Sequence, residues 1–333
     1  MPGTSAETPI ASLGARARAA GRVLAGASTQ LKDRALHTAA DLLVERTDDL
    51  LAANQVDIAH ARDEGRDDTV IDRLRLDAGR VDGMAGGLRQ VAGLADPVGE
   101  VTEGWVRPNG LRIQKMRVPL GVVAIIYENR PNVTSDAFGL CLKSGNTAFL
   151  RGSSGAISSN TAIAGVLREA VAKVGLPEDA LVLVEDTSRE AAVEFMRLRG
   201  YVDCLIPRGG PSLIRSILDN ATVPYVIDGD GNCHVYVDAA ADLPQALEIV
   251  VNAKAQRPSV CNAAESLLVH EDVAAEFLPL LAARLGDVEL VGDPAAQGLL
   301  GAERVAAASE DDWADEYLDM KLAVGVVADL DAA

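Results

Sequence analysis

Residues 118–137 read VPLGVVAIIYENRPNVTSDA. The run Gly121–Tyr127 is apolar without interruption, so it predicts a strand buried on both faces. Five polar or turn-forming residues follow, Glu128-Asn129-Arg130-Pro131-Asn132, and then a helix over Ser135–Lys143. Moving downstream, short apolar runs and helical patterns alternate. Strands are expected at Thr147–Leu150, Leu181–Val184, Val202–Ile206 and Pro224–Ile227. Helices are expected at Asn160–Val174 (stopped by Gly175), Arg189–Arg199 (before Gly200) and Ser212–Asn220. This alternation predicts a parallel sheet covered by helices on both faces.

The pattern then restarts with a strand at His234–Val237, a helix at Leu243–Ala255, a strand at Glu265–Val269 and a helix at Asp272–Leu285. Gly229–Asn232 (GDGN) reads as the hinge, which divides the chain into domains 1–228 and 229–333. Upstream, Ala6–Ala61 and Val81–Leu94 are helical and carry no motif. In Glu103–Arg117 the turn Pro108-Asn109-Gly110 separates two runs of mixed polarity, a hairpin signal that fits either a subunit contact or a solvated loop. Leu322–Val327 reads as a strand and Asp329–Ala333 as the first turn of a further helix, so the sequence stops inside an α/β unit.

Composition narrows the function. The chain has 333 residues, 48% hydrophobic and 24% charged, which is globular. Aromatics are only 3%, so Ala, Val, Leu and Ile must fill the core. A net charge of −18 disfavours nucleic acid and anionic membranes as partners, and an anionic substrate would need a locally basic site. The four cysteines, Cys141, Cys204, Cys233 and Cys261, show no metal-ligand spacing, so no metal site is expected. No secretory leader or membrane-length apolar run occurs, and the expected location is cytoplasmic.

Neither a GxxxxGK[ST] nor a GxGxxG fingerprint is present. Two strand-to-helix junctions could hold a phosphate instead: Arg151-Gly152-Ser153 and Arg208-Gly209-Gly210-Pro211-Ser212. Glycine lets an anion approach the backbone, and the helix N-terminus favours it. Such loops also serve as plain connectors. Cys261 lies in a helix-to-strand loop, near Arg257 and beside Asn262. There it reads either as a nucleophile or as a small buried apolar residue. Asn129 at a strand end reads either as an oxyanion donor or as a turn-capping amide.

Taken together, Pro119-Leu120-Gly121-Val122, Asn129-Arg130-Pro131, Lys143-Ser144-Gly145-Asn146-Thr147 and the Cys261 loop resemble the aldehyde dehydrogenase superfamily. VPLGVVAIIYENRPNVTSDA (118–137), CLKSGNTAFLRG (141–152) and KAQRPSVCNAAE (254–265) are most similar to its branch that reduces γ-glutamyl phosphate. The resemblance implies an α/β, aldehyde-dehydrogenase-like fold: two parallel-sheet domains, the first binding nucleotide and the second catalytic, plus a protruding hairpin used in assembly. It implies NADPH-dependent reduction of L-glutamate 5-phosphate to the semialdehyde in proline synthesis. Cys261 is then the nucleophile and Asn129 the oxyanion donor. Arg151, Gly152, Ser153, Gly209, Gly210 and Ser212 fall to the cofactor, while Arg130 and Arg257 are candidates for the substrate's anionic groups. The Glu base of hydrolytic relatives aligns with Ile227–Asp230, where this chain carries a shorter Asp. No acidic residue follows Arg151, which favours NADP over NAD. Family members continue past residue 333, so the chain is expected to be C-terminally truncated, with a homo-oligomer expected at full length. Glutamate 5-kinase is the implied functional partner. Two alternatives stay open, another aldehyde or acyl-CoA dehydrogenase of the superfamily, or an inactive nucleotide-binding fragment.

Overall fold

The computed structural model describes residues 9–227 and 231–333. The chain divides into two compact units, Met1–Ile227 and Asp228–Ala333. The expected hinge at 229–232 is described only at Gly231 and Asn232.

The first unit opens with five helices, α1 (Pro9–Leu24), α2 (Thr29–Glu45), α3 (Thr47–Asp63), α4 (Asp68–Leu74) and α5 (Ala78–Gly93). A hairpin follows, β1 (Val101–Val106) and β2 (Arg112–Met116). Then come β3 (Val122–Tyr127), α6 (Asn132–Lys143), β4 (Thr147–Arg151), α7 (Ile157–Lys173), β5 (Leu181–Leu183), α8 (Arg189–Phe195), β6 (Cys204–Arg208) and α9 (Pro211–Asn220). The sheet order is β5-β4-β3-β6, all parallel.

Strand β3 shows why its apolar run is unbroken. Val123, Ile125 and Tyr127 enter the core under α2, α5, α6 and α7. Val122, Ala124 and Ile126 enter a second core with residues of α1, α8 and α9. Strand side chains alternate between faces, so a strand covered on both must be apolar at every position. The Lys143–Thr147 motif is structural. Lys143 is buried and donates to Asp33 (2.6 Å) and to the Ala92 carbonyl ending α5 (2.7 Å). Gly145 has φ +73°, a left-handed turn that ends α6. Asn146 Oδ1 accepts the Gly121 N–H at 2.8 Å, which ties the motif to the start of β3.

Two elements fall well short of their expected spans, α8 and the strand at 224–227. The chain leaves α8 at Met196, whose carbonyl accepts the Thr222 N–H (3.0 Å). The strand expected at Pro224–Ile227 is a single bridge between Leu205 and Tyr225. Pro224 offers only its carbonyl, so the pairing cannot extend through it. The hairpin pairs antiparallel, with Trp105 opposite Ile113 and Gly110 (φ +85°) in its turn. Its residues are exposed except for the half-buried Ile113.

The second unit comprises β7 (Cys233–Val237), α10 (Leu243–Ala255), β8 (Ala264–His270), α11 (Glu271–Arg284), β9 (Glu289–Gly292), α12 (Pro294–Leu300), β10 (Val305–Ala307) and β11 (Lys321–Val327). Its strands are parallel in the order β10-β9-β11-β8-β7. β9, α12 and β10 are short elements that the sequence pattern did not signal. Among the described residues, no helix is long and apolar enough to cross a membrane.

Candidate active site

In the first unit a cleft of about 460 Å³ opens where β3 and β4 end. The crevice beyond the carboxyl ends of parallel strands is the usual ligand position in such sheets. Asn129, Arg151 and Ser153 line it together. Asn129 Oδ1 accepts the Ser153 hydroxyl at 2.6 Å, and a Cβ at Gly155 would sit 2.9 Å from the same oxygen. With the oxygen committed, the amide offers its NH₂ as a donor.

Arg151 does not present a free guanidinium fork. Its Nη2 donates to the carbonyls of Thr187 (2.6 Å) and Ser188 (2.9 Å), holding the turn that leads into α8. Burial pushes its pKa below the usual value, with Asp186 opposing the shift. Its Nε is buried without a partner among the described residues, as is Asn160 Nδ2. A Cβ at Gly152 would run into that Asn160 amide, so glycine is required there for close packing. Unpaired buried donors at a strand-to-helix junction fit a ligand that brings acceptors.

The second junction is arranged differently. Glu128 Oε2 accepts the Gly210 N–H at 3.2 Å, and a Cβ at Gly209 would sit 2.7 Å from the Glu128 carboxyl carbon. A side-chain carboxylate thus serves the N-terminus of α9. Gly209, Gly210 and the exposed Ser212 adjoin the cleft through Glu128 and Leu213, which do line it. Arg130 is half-buried in the turn before α6 and is not among the lining residues.

Sequence reading missed the far wall. His60, Glu64, Arg66, Val70 and Leu74 line the cleft from α3, α4 and the turn between them, and Arg189 enters from α8. Glu64 sits between His60 (3.2 Å) and Arg66 (2.9 Å). The cleft therefore carries His60, Arg66, Arg151 and Arg189 against Glu64 and Glu128, a locally basic setting in an acidic chain. No motif marks these residues, because their place at the cleft comes from the packing of α3 against α7.

In the second unit Cys261 lies on the loop between α10 and β8 and is exposed. The loop's ends are joined by an ion pair: Lys254 Nζ on α10 reaches Glu265 Oε2 on β8 at 2.7 Å, with side chains 0% and 1% exposed. Glu265 also accepts the Leu318 N–H at 3.1 Å. Burial pushes the Glu265 carboxyl up, against the pull of Lys254 and the Leu318 amide. A Cβ at Gly231 would sit 2.9 Å from the Cys261 carbonyl oxygen, so the chain at 231 packs directly on the loop. Arg257 is exposed on the same loop. Cys141 and Cys204 are buried, and Cys233 is half-buried. The stretch aligned with the hydrolytic base is described only at Ile227. No cluster of metal-ligating side chains occurs among the described residues.

Comparison with known proteins bears on both units. The aldehyde dehydrogenase family model matches residues 4–320. Gamma-glutamyl phosphate reductase of Clostridium novyi (strain NT) is 52% identical over 319 residues, 95% of this chain and 76% of the relative. The Thermobifida fusca (strain YX) enzyme of that name is 50% identical over 332 residues, 99% of this chain and 79% of the relative. The crystal structure of gamma-glutamyl phosphate reductase from Thermotoga maritima superposes with a TM-score of 0.86 at 45% identity, covering 97% of this chain and 78% of that one. A family model that spans residues 4–320 and identity near one half over almost the whole chain show that the chain belongs to the aldehyde dehydrogenase family and, within it, to the γ-glutamyl phosphate reductases.

Proposed function

We propose that the chain catalyses the reduction of L-glutamate 5-phosphate to L-glutamate 5-semialdehyde and phosphate, a step of proline synthesis, with NADPH as reductant. The observation that carries this reading is Cys261, exposed on a loop whose two ends are clamped by a buried ion pair, in a chain about half identical to γ-glutamyl phosphate reductases.

Cys261 is assigned as the nucleophile. Its sulfur attacks the acyl carbonyl, the C–O bond to phosphate breaks, and a thioester remains. Phosphate is a good leaving group, so no strong general acid is needed. The NH₂ of Asn129, left free by the Ser153 hydrogen bond, is assigned to the developing oxyanion. The nicotinamide cofactor, when bound, supplies the hydride that reduces the thioester. Cys261 then leaves as the thiohemiacetal collapses to aldehyde.

The cleft beside β4 fits that cofactor: Arg151 brings an unpaired buried donor, its Nε, and the cleft has tight glycine packing and basic side chains. Arg151 is assigned to hold the 187–188 turn that carries Arg189, with Ser153, Arg66 and Arg189 toward the phosphates. Gly209, Gly210 and Ser212 are assigned to the same cofactor. Arg257 and Arg130 are assigned to the substrate's carboxylate and phosphate. The exposed apolar side chains Trp105, Val106 and Met116 on the hairpin favour assembly with further copies of the chain. An acyl phosphate is labile, so glutamate 5-kinase is the natural supplier. Four free cysteines suit a reducing cytoplasm.

The test is NADP⁺ reduction by glutamate semialdehyde, with and without inorganic phosphate. Strict phosphate dependence, abolished by Cys261→Ala, is expected. Reduction that needs coenzyme A instead of phosphate, or that survives Cys261→Ala, overturns the reading.

A further inference from the structure

We propose that Cys233 and Cys261 form a reversible disulfide under hydrogen peroxide, Cys261 being the thiol that peroxide oxidises and Cys233 the thiol that resolves it. Cys261 is exposed and Cys233 half-buried, and the Cys233 Sγ donates to the Cys261 carbonyl oxygen at 3.4 Å. Several features hold the two residues together. β7 and β8 are paired, with Cys233 opposite Ala264, and the register is irregular at Cys233 itself. Asn232 is anchored by donating to the Trp313 (2.9 Å) and Asp315 (3.1 Å) carbonyls and by accepting from Ser266 (3.0 Å). Gly231, which has no room for a Cβ, lets this segment close on the Cys261 loop. The Cys233 thiol already touches the backbone of the other cysteine, so rotation of the exposed Cys261 side chain and a small shift of its loop are what remain to close an S–S bond.

The other cysteines do not compete. Cys141 is buried, and burial pushes its thiol up to about 12. Cys204 is also buried and raised for the same reason. Burial, and then the neighbouring Cys261, raise the Cys233 thiol as well, which leaves the exposed Cys261 as the sulfur that peroxide meets first.

The chemistry balances in two steps. The Cys261 sulfur attacks one peroxide oxygen; the O–O bond breaks, a sulfenic acid forms and one water leaves. The Cys233 sulfur then attacks the Cys261 sulfur. The S–S bond forms, the S–O bond breaks, and the hydroxyl departs as a second water with the Cys233 proton. Peroxide takes up the two electrons that the thiols lose. The disulfide requires only the two thiols. Its consequence, reversible silencing of the reductase and protection of Cys261 from sulfinic acid, rests on the function proposed above.

The full chain is treated with hydrogen peroxide, quenched with N-ethylmaleimide, digested and mapped by mass spectrometry. A linked peptide containing Cys233 and Cys261 is expected, lost on dithiothreitol, with Cys141 and Cys204 alkylated only after unfolding. In Cys233→Ser the hydroxyl can still donate to the Cys261 carbonyl, so the loop contact is kept. That variant is expected to lose the linked peptide and to accumulate sulfinic Cys261 that dithiothreitol does not reverse. Sulfinic Cys261 without the link in the unmodified chain, or a link to another cysteine or a second copy, overturns the proposal. That map decides without any variant. If the link forms in a chain that shows no reductase activity before oxidation, the functional reading falls and the disulfide stands.

Discussion

The Lys254–Glu265 pair is the strongest electrostatic commitment in the second unit. Both side chains are fully buried, 0% and 1% exposed, and their charged atoms are 2.7 Å apart. Lys254→Met removes one charge and strands the other. Removing one partner of a buried pair costs about 3–5 kcal/mol, because the remaining charge has neither water nor a counter-ion. Lys254→Met with Glu265→Gln removes both charges while keeping an acceptor for the Leu318 N–H. That double variant should lie within about 1 kcal/mol of the parent, since a neutral, packed replacement often matches a buried pair. The pH dependence follows. Burial already raises the Glu265 carboxyl, and losing Lys254 raises it further. The folded variant then holds a proton that the unfolded chain releases, so its stability falls as pH rises through the ordinary glutamate range. The destabilisation of Lys254→Met should therefore be larger near neutrality than in mild acid. The assay is urea unfolding followed by Trp313 fluorescence in a Trp105→Phe background. Trp313 is then the only tryptophan, and it reports the second unit alone. A single variant as stable as the parent at every pH would refute the reasoning.

Three further outcomes follow. Asn129→Ala should lower kcat roughly 10²–10³-fold with little change in KM, the loss typical of one oxyanion donor, measured by steady-state kinetics. Glu128→Gln removes the carboxylate charge from the Gly210 N–H and should tighten NADPH binding in a fluorescence titration; unchanged affinity would place the phosphates at Arg151–Ser153 alone. Hydrogen bonding from Lys321, then from Ser309, holds the Asp312 carboxyl well below its ordinary value. Its contribution is complete above that ordinary value and is lost as pH falls below it, so Asp312→Asn should weaken the second unit at neutral pH and flatten its acid limb in pH-dependent unfolding.

Much of this was legible from residue pattern. The unbroken apolar run of β3 announces a strand covered on both sides, and the two cores that share its alternate residues are the reason. Helix α10 occupies the span read from periodicity, Leu243–Ala255. The hairpin followed from its Pro-Asn-Gly turn, where Gly110 takes a positive φ. The short β9, α12 and β10 were not legible, because three to seven residues are too few to show a period. The end of α8 was missed because a distant amide, Thr222 N–H, takes the Met196 carbonyl.

The site divides along the same line. Local pattern marked Cys261 as a loop cysteine and Asn129 as a strand-end amide, because strand ends and loops leave periodic traces in adjacent residues. It could not show that Arg151 spends its Nη2 on the 187–188 carbonyls, nor that Glu128 occupies the N-terminus of α9. Nor could it show that Cys233 reaches the Cys261 carbonyl or that Lys254 meets Glu265 in the interior. Except for Lys254 and Glu265, these partners lie 28 or more positions apart. Their meeting is set by strand pairing and by which atoms packing leaves without water, and neither has a period along the chain.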